Sequence, residues 1–100
     1  MIRHIVFWTL QEEAEGRTKS ENAVVMKQML DSLKNSIPQI IELETGINFN
    51  TTDTAWDIAL WSAFASNEDL DTYQKHPAHL KVVEFIRKIR NQRAVIDYVF

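Results

Sequence analysis

A chain of 100 residues with 45% hydrophobic and 25% charged side chains is sized for a single domain spanning 1–100 and too apolar to be disordered. A formal net charge of −3 argues against nucleic acid as a partner, and the absence of cysteine excludes a disulfide framework and fits a reducing, cytoplasmic setting. No run approaches the ~18 consecutive apolar residues of a membrane span, and MIRHIVFWTLQEE lacks the apolar core and cleavage site of a signal peptide, so no membrane partner is expected.

Residues 1 to 10 read as a strand, with His4, Val6, Trp8 and Leu10 on one face and Ile5 and Phe7 on the other. QEEAEGR is a polar connector. Thr18-Lys19-Ser20-Glu21 fits a capping box, and the helix it starts carries Val25, Met26, Met29, Leu30, Leu33 and Ile37 at helical spacing until Pro38 stops it. A second strand is expected over Ile40 to Phe49, with Gly46 marking a bulge. After the NTTDTA turn comes a third strand from Trp56 to Ala65, apolar on both faces. Ser66 or Asn67 caps a second helix whose first turn holds Glu68 and Asp69. Proline disfavours helix in the residue before it, so this helix breaks at His76, and Pro77 opens another helical segment with the stripe Val82, Val83, Phe85, Ile86 and Ile89. The charges of KVVEFIRKIRNQR are spaced as the wet side of that helix, and Ala94 to Phe100 is the last strand.

The order β-α-β-β-α-β predicts a ferredoxin-like α+β sandwich, both helical segments on one face of an antiparallel sheet and strands one and three in its centre. The uncovered face should be polar in a solvated monomer, yet strands one, three and four are apolar on both sides. A symmetric homodimer, sheet against sheet as a dimeric α/β barrel, is the simplest closure and makes a second copy the expected partner.

RHIVFW at the start, the IP at Pro38, AWDIALWSAFAS followed by EDLDTYQKHPAHLKVVEF, and the terminal AVIDYVF together resemble the stress-response A/B barrel domain family, often called Dabb. The resemblance spans essentially the whole chain, and Y-x-x-H-P-x-H is its most specific part. It implies a dimeric α+β barrel. A polyketide cyclase of that family closes its substrate with a histidine and a tyrosine, and by motif position these resemble His79 and Tyr73. A histidine in the cyclase's first strand matches His4, whereas Asp57 and Leu30 stand where the cyclase has a histidine and a tyrosine.

Read as chemistry, a neutral imidazole at His79 can remove a proton beside a carbonyl, and Tyr73 can donate to the enolate oxygen that develops. His79 can equally satisfy backbone groups at a helix start, and Tyr73 can be a core-edge residue with a wet hydroxyl. His4 and Asp57 are expected near the starts of parallel neighbouring strands; if their faces coincide the carboxylate would orient the imidazole, and otherwise the two reach solvent separately. Trp61, on the same strand as Asp57, and His76, at the helix break, complete the candidate ligand-binding set; His76 also reads as a helix C-terminal residue placed against the dipole. Ala59, Ala63 and Ala65 would leave room for a pocket beneath the helices or simply allow close helix packing. H-P-x-H is not an established metal-ligand spacing, and two glycines make no phosphate loop, so neither metal nor cofactor is expected. Two functions are compatible with these residues: a small-molecule binding protein for a partly apolar carbonyl compound, with proton transfer at His79, or a non-catalytic stress-related or assembly protein whose His/Tyr cluster is structural.

Overall fold

Local chemistry sets the element ends in the computed structural model, which describes all of Met1–Phe100. The chain runs β1 (Ile2–Leu10), β2 (Glu13–Ala14), β3 (Arg17–Thr18), α1 (Lys19–Ser36), β4 (Glu42–Ile47), β5 (Ile58–Phe64), α2 (Asn67–Lys75), α3 (Pro77–Ile89) and β6 (Arg90–Val99). The expected capping box is present: Glu21 N–H donates to Thr18 Oγ1 at 3.3 Å and Thr18 N–H to Glu21 Oε1 at 2.9 Å. The polar connector before it is a small hairpin, β2 against β3, turned by Glu15 and Gly16, both at positive φ.

Four strands form one antiparallel sheet in the order β4-β5-β1-β6, a ferredoxin-like α+β arrangement. Strands β1 and β5 are central, as expected, but they are antiparallel, with His4 opposite Ser62 and Trp8 opposite Ile58. The reason is connectivity. β4 and β5 are joined as a hairpin and so oppose each other, while the α1 crossover makes β1 run the same way as β4. Gly46 pairs in continuous register with Ala59, so no bulge lies there; the irregularity falls between Trp8 and Leu10, where β1 meets β6.

The register sorts the side chains. Ile2, His4, Val6, Trp8 and Leu10 face the helices with Ile58, Leu60 and Phe64, and pack on Met26, Leu30, Leu33, Val82 and Ile86. Burying about ten such side chains at ~1.5–3 kcal/mol each drives the helices onto this face. The other face carries Ile5, Phe7, Ala59, Trp61, Ala63, Ile96 and Tyr98, and no helix covers it. Ala59 and Ala63 therefore lie on the open face and leave no space beneath the helices.

Candidate functional site

Tyr73 enters the core because α2 buries its i, i+3 pair, Leu70 and Tyr73, against the sheet. The Ser66 hydroxyl caps this helix by accepting from Asp69 N–H at 3.2 Å. His76 ends it in an extended conformation, φ −65° and ψ 136°, as a residue before proline must. Its Nδ1 then accepts from Ala78 N–H at 3.0 Å, which makes His76 the N-cap of α3. Its role at the bend is structural, as one reading of the sequence has it, but it acts as a hydrogen-bond acceptor for the next helix and not as a charge on the previous one. One turn further on, His79 swings back over Tyr73, with ring centroids 4.4 Å apart.

His4 completes the group from the sheet. It is buried, and its ring lies 6.2 Å from that of Tyr73. The three side chains line one cavity of about 290 Å³ between the sheet and α3. Trp8, Leu30, Leu60, Val82 and Ile86 give it an apolar lining, and Arg87, Arg90 and Arg93 add cationic groups. A wider groove of about 490 Å³ beside Phe7, Ile47 and Trp56 has no titratable side chain in its lining.

Hydrogen bonds fix the protons on both site imidazoles. His79 Nδ1–H donates to the Gln74 carbonyl at 3.1 Å; a carbonyl only accepts, so the neutral ring has its lone pair on Nε2. Burial lowers the His79 pKa, and the nearby His4, Arg93 and His76 act in the same sense against the opposing Gln74 bond. His4 Nδ1–H points to the Asp97 carboxylate at 2.5 Å, which likewise reserves Nε2. Tyr73 is 0% exposed, and burial pushes its phenol up, so it keeps its proton. Neither its hydroxyl nor the indole N–H of Trp8 has a hydrogen-bond partner in the protein.

Of the six candidates from the sequence, His4, Tyr73 and His79 converge and the other three do not. Asp57 does not orient His4. With β1 and β5 antiparallel it sits beyond Trp8, roughly 13 Å along the strand from His4, where its carboxylate accepts from Leu10 N–H at 2.7 Å and meets Lys19 at 3.4 Å. Trp61 projects from the open sheet face under the guanidinium of Arg3, 3.6 Å from the ring centroid. His76 is taken up by the helix cap and lines no part of the cavity. The acid that orients His4 is Asp97, which the sequence reading passed over inside AVIDYVF. Its signal was available: a lone acid in an apolar strand destined to lie beside the first. No three His, Asp or Glu side chains gather as a metal site would require.

Comparison with known proteins agrees with this architecture. The stress-responsive A/B barrel domain model matches residues 2–100. The stress-response A/B barrel domain-containing protein DABB1 of Arabidopsis thaliana is 29% identical over 99% of this chain, which spans about half (47%) of that relative's length. A protein of unknown function from Bacteroides fragilis, described as dimeric and ferredoxin-like, is 29% identical with a TM-score of 0.82, over 99% of this chain and 95% of that one. The hydroxynitrile lyase of Passiflora edulis, at 20% identity, has the same fold with a TM-score of 0.77, over 99% of this chain and 92% of its own. On the match over residues 2–100, the chain belongs to the stress-responsive A/B barrel domain (Dabb) family.

Proposed function

We propose that this protein is a homodimer that binds a small, partly apolar carbonyl compound in the cavity beneath α3 and moves a proton at the carbon beside the carbonyl. The observation that carries the reading is the Tyr73 hydroxyl, wholly buried, without a partner, and set among the rings of His4 and His79. An unsatisfied buried hydroxyl costs about 1–3 kcal/mol, a cost that packing alone gives no reason to keep. A carbonyl oxygen placed there would accept from Tyr73, and the charge developing on it as an enolate would strengthen that bond. His79, neutral and with Nε2 unprotonated, is the base; His4, held by Asp97, polarises the same space.

Self-association is supported by the open sheet face, where Trp61 is 37% and Ile96 56% exposed beside Ile5 and Phe7. The dimeric Bacteroides fragilis protein has the same fold. Two copies joined by these faces would enclose a second core.

A neutral probe tests the chemistry: methyl phenylpyruvate, whose methylene protons sit between a ketone and a ring. Wild-type protein in deuterated buffer should speed their exchange, and H79A should lose about a hundredfold or more of that rate. Exchange at the buffer rate, with the Tyr73 and His79 resonances unmoved by the probe, would favour a non-catalytic protein with a structural cluster.

A further inference from the structure

The chain is acidic overall, yet no Asp or Glu is among the thirteen residues lining the cavity, while Arg87, Arg90 and Arg93 are. None of these three arginines has a carboxylate within salt-bridge distance; the seven ion pairs of the protein involve other cations. The C-terminal dipole of α3 accounts for Arg87, in its last turn. It does not account for Arg93, which lies in β6 opposite Trp8, on the helix side of the sheet with its side chain exposed. Arg93 lines the same cavity as Tyr73 and His79. Trp8 adds an indole N–H that is buried and unpartnered. One strand pair thus brings a guanidinium-bearing residue and an indole with an orphaned N–H to the lining of one cavity, donor types suited to one planar anion.

We infer that the ligand is a carboxylate-bearing carbonyl compound, a small oxo acid with an apolar body, whose carboxylate is held by Arg93 and the Trp8 indole N–H, with Arg87 and Arg90 reinforcing the field. The inference rests on the proposed site and specifies its substrate class. Tyr73, His4 and His79 take the carbonyl end, and the apolar lining takes the body. A cavity of about 290 Å³ is at the lower end of the usual range for ligand sites and suits a compound of this size.

Phenylpyruvate and its methyl ester share the ketone and ring and differ in the carboxylate charge. Calorimetric titration of the 100-residue chain should give tighter binding of phenylpyruvate by roughly ten- to a hundredfold, a preference that shrinks as salt is raised. R93Q should abolish most of that preference; W8F, which removes the N–H together with part of the fused ring, should reduce it. Equal binding of acid and ester by wild type, with the ester still shifting Tyr73 and His79, overturns the carboxylate assignment and leaves the proton-transfer site standing. A preference unchanged in R93Q and W8F also overturns it. Binding of neither compound overturns both.

Discussion

His4 on β1 and Asp97 on β6 are directly opposed in the antiparallel register, and the His4 ring reaches the Asp97 carboxylate at 2.5 Å. That contact fixes the proton on Nδ1 and gives the ring a single orientation over the cavity. D97A should therefore slow exchange of methyl phenylpyruvate by about tenfold or more, and ring ¹⁵N shifts should report mixed His4 tautomers. An unaltered tautomer and rate in D97A would mean that the sheet packing alone holds the ring.

Y73F separates chemistry from packing with little change in shape. Removing an unpartnered buried hydroxyl should raise stability, by about 1–3 kcal/mol, while the exchange rate falls. A clear loss in thermal melting temperature would show that the hydroxyl has a structural partner after all.

His79 has a lowered pKa, so the folded state takes up its proton less readily than the unfolded chain, whose value is 6.5. Its contribution to stability is thus fully present above about pH 6.5 and is lost as pH falls through the lower folded value. Exchange activity should drop over the same acid range, because protonation removes the Nε2 lone pair. Urea unfolding from pH 7.5 to 5 should become less pH-dependent in H79Q; a wild-type stability that rises on acidification would contradict the direction.

At the helix break, H76A removes the acceptor for Ala78 N–H and should cost about 1 kcal/mol, with H76N restoring most of it. Neither change should alter the binding of methyl phenylpyruvate. Weaker binding in H76N at wild-type stability would return His76 to the ligand site.

On the open face, I96K places a charge where two sheets would meet. Light scattering should give about twice the 11.7 kDa chain mass for wild type and a shift toward the single-chain mass for I96K. A monomeric wild type would remove the second copy from the reading.

Particular residues show what is legible in the sequence. Thr18 and Glu21, Pro38 and the His76-Pro77 pair act on backbone within a few residues of themselves, so their effects can be read from spacing. Tyr73 and His79 were found by the motif they share. Asp57 lies elsewhere because β5 runs against β1, which moves its start to the far end of the strand, and the register, with Trp61 opposite Ile5, puts its Trp61-bearing face on the open side of the sheet. The charges of KVVEFIRKIRNQR read as a solvated face, and Arg87 and Arg93 are exposed; but the chain leaves α3 at Ile89, and period-two geometry in β6 puts Arg93 on the helix side of the sheet.

The sequence by itself determined the element order, the helix ends, the ferredoxin-like class and an apolar surplus on the sheet, because these depend on periodicity and on short-range backbone chemistry. Only the tertiary structure decided that Asp97 and not Asp57 orients His4, that Tyr73 is buried with its hydroxyl unpaired, and that Arg93 and Trp8 meet at one cavity. Those pairings join residues dozens of positions apart, and strand direction and register set them, since one reversal or a one-residue slip sends each side chain to another neighbour or the other face.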